Sequence, residues 1–243
     1  MAVKLRVSAL FIVALVVGGC AVPLYRAHPD MEKRAKTIRT VVVLPPRIDV
    51  FQISAGGLRE KMDEWSIQGR KNIAAAIEEE LKGRARIQVR SLENPLPREV
   101  ESNVEETYAL FDAVETSVLL HTYGPPEHRF EEKIRNFDYT LGKEVQGLRR
   151  AKADVLILVR GVDHISSGGQ KAVQAVGVLA GLAMGTWSGV SGGITAAAVA
   201  LVDAQTGAVL WYNRAWSDGG YDLRDPAGAA SFVKVLMDGF PIQ

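Results

Sequence analysis

Two apolar runs, Thr40-Val41-Val42-Val43-Leu44 and the stretch from Ala153 to Val159, constrain the fold of this 243-residue chain most. A strand that is apolar at nearly every position must be covered on both faces, as the central strands of an α/β sheet are. Pro45-Pro46 ends the first run, because proline cannot donate to a ladder. Between the two runs lie patterns of a different period. Met62, Trp65, Gly69, Ile73, Ile77 and Leu81 recur at three- and four-residue steps and predict a long helix stopped at Lys82-Gly83. Val100, Val104, Tyr108, Phe111, Val114 and Val118 predict a second helix, closed by Gly124-Pro125-Pro126. Phe130, Ile134, Phe137, Leu141, Val145 and Leu148 predict a third, weakened by Gly142. Arg86 to Leu92 alternates in polarity as a half-exposed strand does.

The C-terminal part reads as a hairpin and a helix. Ile194 to Val202 and Ala208 to Trp216 are β-rich runs joined by Asp203-Ala204-Gln205-Thr206-Gly207, with Gly207 where φ must be positive. The hairpin is read as structural, not as a binding site. Asp225-Pro226 opens a last helix with Phe232, Val233, Leu236 and Met237 on its apolar face. Together these elements give an α/β fold: a mixed sheet with flanking helices and a C-terminal antiparallel hairpin plus helix.

The N-terminus carries a processing signal. Lys4 and Arg6 precede an unbroken apolar run, Leu10 to Val17, and small residues lead to Cys20, the one cysteine of the chain. Basic head, short apolar core and small residues at the cut describe a secretory signal peptide. The run is shorter than the roughly 18–20 residues that a spanning helix needs. A lone cysteine has no disulfide mate within the chain. Val17-Gly18-Gly19-Cys20 resembles the lipobox of bacterial lipoproteins, which implies cleavage before Cys20 and acylation of that residue. Stable anchoring takes more than one acyl chain, each buried methylene contributing about 0.8 kcal/mol.

The expected organisation is therefore a lipoprotein signal peptide over 1–19, lipidated Cys20 and a solvated tether over 20–39, and a single α/β domain over 40–243 with an apolar Gly-rich insertion at 172–193. Lys4 and Arg6 leave with the signal, and the remaining bases nearly balance the 28 acids. This gives no reason to expect nucleic acid as a partner. Roughly 220 mature residues suffice for one core.

A second resemblance rests on the element order and on the segment Leu201-Val202-Asp203-x-x-Thr206-Gly207-x-x-Leu210-Trp211. Strand Thr40–Pro46, the long helix, Ala153–Gly161 and the hairpin Val199–Ala215 look like periplasmic lipoproteins with a domain similar to the N-terminal domain of TolB. That group includes the GNA-type lipoproteins, the curli secretion and Pel exopolysaccharide lipoproteins, and the lipoprotein activators of peptidoglycan synthases. The resemblance covers most of residues 40–240 and implies the outer membrane. Ala21 after the cysteine, rather than Asp, agrees with the sorting pattern of enteric lipoproteins.

No catalytic constellation emerges. Gly189-Val190-Ser191-Gly192-Gly193 matches the nucleophile elbow in letters, but that motif needs Asp and His after the serine, and His28, His121, His128 and His164 all precede it. Ser167-Gly168-Gly169-Gln170-Lys171 lacks the spacing of a phosphate loop. No Cys/His spacing suggests a metal. Asp163 and His164 are sequence neighbours at a strand, so their side chains should point to opposite faces. Glu78-Glu79-Glu80 and Glu105-Glu106 read as solvated helix faces. The chain is expected to be non-enzymatic and to need no cofactor and no metal.

The stretch from Ala172 to Val202 has no charge and repeats glycine at Gly177, Gly181, Gly185 and Gly189. On a helix these glycines form one stripe that permits close approach. On a strand they would share a face equally well. Three readings stay open: a segment covering the domain's own sheet, an oligomer or partner contact, or a membrane insertion. The functional expectation is a lipid-anchored protein on the periplasmic face of the outer membrane, acting as an accessory or assembly factor of an envelope complex through a protein partner or homo-oligomer. The alternative is a ring- or pore-forming export component that uses 172–193.

Overall fold

The computed structural model describes residues 25–54, 57–84, 86–92, 95–166 and 193–242. The fold is α/β, with one mixed sheet between two layers of helix. Its strands are β1 (Arg26–Ala27), β2 (Thr40–Val43), β3 (Arg47–Ile53), β4 (Arg59–Lys61), β5 (Gln88–Ser91), β6 (Val155–Ser166), β7 (Thr195–Asp203) and β8 (Val209–Ser217). The order across the sheet is β1-β8-β7-β6-β2-β5, with β3 beside the second half of β6 and β4 outside β3.

The long strand β6 organises the rest. Its first half pairs in parallel with β2, its second half in parallel with β3, and its other edge with β7 antiparallel. Leu44-Pro45-Pro46 alone separates β2 from β3, and the chain resumes as a strand at Arg47. The alternating burial of β3 hides Ile48, Val50 and Ile53 and leaves the residues between them partly exposed. No strand is predicted after the prolines from the sequence. Short alternation among charged residues is weak evidence for one, and its partner lies more than a hundred residues away.

One face of the sheet is covered by α2 (Asp63–Leu81) and α5 (Pro226–Leu236). Ile73, Ile77 and Leu81 of α2 and Phe232, Val233 and Leu236 of α5 pack on Val41, Val43, Val155, Ile157, Val199 and Leu201. Each such side chain contributes about 1.5–3 kcal/mol when fully buried. Gly83, with φ +84, ends α2 where expected. The Asp225 carboxylate caps α5 by accepting from Gly228 N at 2.9 Å. The opposite face carries α3 (Arg98–His121), whose Val104, Tyr108, Phe111 and Val118 pack on Val42, Leu44, Leu156 and Leu158.

Two expectations are corrected. The third helix is broken: α4 (Glu131–Asn136) ends at Phe137 in the left-handed region (φ 44), Gly142 turns the chain again (φ +82), and Lys143–Ala151 is 3-10 helix. Phe137, Tyr139, Leu141, Val145 and Leu148 are nonetheless all buried, so the apolar spacing reports burial of a winding segment rather than one helix face. The second correction concerns the tether expected over 20–39. Residues from Tyr25 onward belong to the fold: β1 pairs with β8, α1 (Met31–Ala35) follows, and Met31 and Ile38 are buried. Arg34 of α1 also pairs with Asp203 at 2.9 Å. With two apolar residues among many charges, this strap shows no period that the sequence could reveal.

The β7–β8 turn is built around Asp203. Its Oδ1 accepts from Gln205 N (3.0 Å), Thr206 N (2.7 Å) and Thr206 Oγ1 (2.8 Å). Gly207 follows with φ +75. Leu141 N donates to Gly207 O at 2.8 Å and Val209 N to Tyr139 O at 2.9 Å, so the turn is also the dock for the winding segment.

Candidate functional site

Cys20 and the glycines Gly177, Gly181, Gly185 and Gly189 lie outside the described residues, as does Ser191. The described residues contain one dense polar cluster, under α3. Register places Arg47 of β3, Arg160 of β6, Ala198 of β7 and Arg214 of β8 in one row across the sheet. Alternation puts all four on the same face. The chain therefore sets three guanidinium groups in line beneath a helix that supplies Glu105, Asp112 and Glu115.

Each arginine is engaged. Arg47 pairs with Glu105 and lies 4.5 Å over the Tyr108 ring. Arg160 Nη1 donates to Glu115 Oε2 at 2.8 Å and stands 3.1 Å from Asp112 Oδ1. Arg214 lies 4.2 Å over the Tyr123 ring. The second oxygen of Glu115 accepts from Tyr212 OH at 3.2 Å. Burial pushes the Glu115 carboxyl above its ordinary range, against the pull of Arg160. Burial likewise raises Tyr123 to about 12, with Arg26 and Arg214 acting the other way. Tyr108 OH donates to Pro45 O at 3.0 Å and accepts from Val159 N at 3.3 Å, bridging the proline break to β6.

Chemically this cluster is a clamp. Both Glu115 oxygens accept from protein donors, Arg160 and Tyr212, so this carboxylate ties α3 to β6 and β8. Sequence reasoning missed it because the partners come from three strands and a helix far apart in the chain. The period-two placement of Arg160 within an apolar strand was the available signal.

Asp163 and His164 separate as expected. Asp163 accepts from Thr195 Oγ1 at 2.8 Å and Leu223 N at 2.9 Å, tying β6 to β7 and to the loop before α5. Burial raises its carboxyl. His164 packs edge-on against Phe51, ring centres 5.2 Å apart, and burial together with Arg59 lowers its imidazole. Of the acidic helix runs, Glu78 bonds Ser91, Glu79 pairs with Lys82 and Glu105 with Arg47, so these carboxylates are less purely solvated than their spacing suggests.

An open pocket of about 340 Å³ lies where β5, α3 and the 3-10 segment meet, lined mainly by Leu92, Leu96, Pro97, Val100, Leu148 and Ala151. Among the described residues, no group of three or more His, Cys, Asp or Glu is placed to hold a metal ion, and no helix is long and apolar enough to cross a membrane.

No family model and no curated protein matches the chain. Among solved structures it is similar to the PelC dodecamer from Paraburkholderia phytofirmans, at 11% identity over 90% of this chain and 96% of that one, with a TM-score of 0.37. It is similar to lipoprotein GNA1162 from Neisseria meningitidis at 12% identity over 82% and 96% of the two chains, TM-score 0.32. The LpoB C-terminal domain from Salmonella enterica is similar at 9% identity over 77% and 95%, TM-score 0.28. Overlaps of this size carry no function across.

Proposed function

We propose that this chain is a lipoprotein of the bacterial envelope, anchored through acylated Cys20, whose α/β domain serves as a non-enzymatic accessory or assembly factor on the periplasmic face of the outer membrane. The carrying observation is the N-terminal pattern: a basic head, an apolar core, and Val17-Gly18-Gly19 ahead of the sole cysteine. The non-enzymatic part is supported by the use already made of the buried titratable groups. Asp163 ties strands together, and Glu115 clamps α3 to the sheet.

The test compares wild type with Cys20→Ser in cells fed a labelled fatty acid, followed by separation of inner and outer membranes. Label in wild-type protein, absent from Cys20→Ser, and wild-type protein in the outer-membrane fraction are expected. Unlabelled wild-type protein in the soluble periplasmic fraction refutes the anchor. Crosslinking in cells then asks for the assembly. Wild type that captures neither another envelope protein nor a second copy of itself counts against the accessory role.

A further inference from the structure

Strand direction and a short connection fix which end of the domain meets the membrane. Arg26 and Ala27 of β1 lie opposite Tyr212 and Trp211, antiparallel to β8. Followed backwards towards the N-terminus, the chain therefore travels along β8 towards Trp216 and Ser217. Only four residues lie between Cys20 and Tyr25, a reach over the five steps of at most about 17 Å. From the level of Tyr25 to the end of β8 is about 13 Å. The opposite end, at Gln205 and Thr206, lies beyond Val209 and the rest of the turn, roughly 20 Å in the direction that β1 leads away from.

The end so selected differs in character from the other. Thr195 pairs with Ser217, Asp163 with Thr195, and Ile53 with Ser166, so the end of β8, the start of β7 and the β3–β4 turn all converge there. Three of the six large apolar side chains exposed among the described residues sit at or near it: Leu58 in that turn (77% exposed), Trp216 (50%) and Ile67 (63%) in the second turn of α2. Gly57, Gly219 and Gly220 are exposed there too, beside the polar and charged Ser54, Arg59, Glu60, Lys61 and Asp218. The far end exposes Lys82, Lys143, Glu144 and Lys152. Tryptophan is the side chain most at home at the level of lipid headgroups, where its ring is half wet and half apolar. A tether of a few residues keeps such a surface near the bilayer at an effective concentration of millimolar order, so even a weak contact is populated.

We infer that the end of the sheet carrying Leu58 and Trp216 lies against the bilayer surface, with Trp216 at headgroup level, while the Asp203–Gly207 turn points away. This rests on the acylation of Cys20 proposed above.

The experiment uses full-length acylated protein in vesicles of 3:1 phosphatidylethanolamine and phosphatidylglycerol. Because the native cysteine is acylated, Ser54→Cys and Gln205→Cys each give one labelling site, at opposite ends of the sheet. Energy transfer to a headgroup-linked acceptor should be strong from position 54 and weak from 205, since β7 alone separates the two levels by about 26 Å. Quenching of tryptophan emission by a headgroup-level nitroxide lipid should fall in Trp216→Phe. Equal transfer from both positions, stronger transfer from 205, or unchanged quenching in Trp216→Phe would overturn the orientation. Weak transfer from both positions, with transfer between copies labelled at 54, would mean that a second copy covers this end, and it too would overturn the inference. A mass without acyl chains would remove the anchor and the orientation together. Acylated protein that fails the transfer test removes the orientation alone.

Discussion

Replacing Gly207 by alanine tests the hairpin and the docking of the winding segment at once. Gly207 has φ +75, and an alanine Cβ there would lie 2.0 Å from Gly142 O and 2.7 Å from Gly142 N. Both are backbone atoms, which cannot swing aside. The left-handed conformation alone costs an L-residue about 1–2 kcal/mol, less about 0.4–1 kcal/mol from the stiffer unfolded chain. Relieving the overlap means parting the bonds from Leu141 N to Gly207 O and from Val209 N to Tyr139 O, at about 0.5–1.5 kcal/mol each. Gly207→Ala should therefore lose about 2–4 kcal/mol. At about 2–4 °C per kcal/mol for a domain of this size, the melting temperature should fall by roughly 5–15 °C. Gly83→Ala is the control. It has nearly the same φ, +84, and its Cβ would meet nothing within 4 Å. Only the conformational cost applies there, a net of about 1 kcal/mol. Thermal and urea unfolding of the two variants, followed by circular dichroism, measures the difference. Equal losses would show that Gly142 does not press on the turn, and the docking argument would fall.

Three other substitutions have defined outcomes. Glu115 has a raised folded-state pKa, so its contribution is full below the unfolded carboxyl range and is lost as pH rises through the folded value. Melting curves from about pH 4 to 8 should accordingly show wild type losing ground to Glu115→Gln with rising pH, and a constant gap would contradict the burial of this carboxyl. Tyr108→Phe removes the bridge from Pro45 O to Val159 N inside the core and should cost about 1–3 kcal/mol in urea unfolding, whereas a cost near zero would mean that the proline break needs no tie. Asn72→Ala strips the donors from Leu223 O (2.9 Å) and Arg224 O (2.8 Å), which bind α2 to the loop before α5; a loss of about 2–3 kcal/mol is expected, and stability within error of wild type would refute that role.

The central strands, α2, α3 and α5 were legible because their signals are local. The valine run of β2, the three- and four-residue steps of Ile73, Ile77 and Leu81, and the Asp203–Gly207 turn each specify their own conformation. What stayed hidden depends on distant partners. Phe137 and Gly142 break a helical spacing that persists in the burial pattern, because both positions take positive φ to follow the sheet surface. β3 became a strand only because β6 runs on past the prolines to receive it. The strap from Tyr25 to Ile38 is held by Leu210 O, Asp203 and the edge of β8, all supplied by the last quarter of the chain. The arginine row was unreadable for the same reason. Arg47, Arg160 and Arg214 become neighbours only through register.

The pairing of β1 with β8 also sets an order of events during biogenesis. A chain translocated N-terminus first exposes Arg26 and Ala27 early, yet their partners Tyr212 and Trp211 arrive near the end of synthesis. β2 must likewise wait for β6, and pairings so distant in sequence are slow to close. If Cys20 is acylated as proposed, and promptly after export, the polypeptide is fastened to its membrane while the sheet is still incomplete, with apolar strands such as β2 unpartnered beside the lipid. A newly exported molecule would then need protection at that surface until the final strand arrives, and the first strand made would be among the last to find its place.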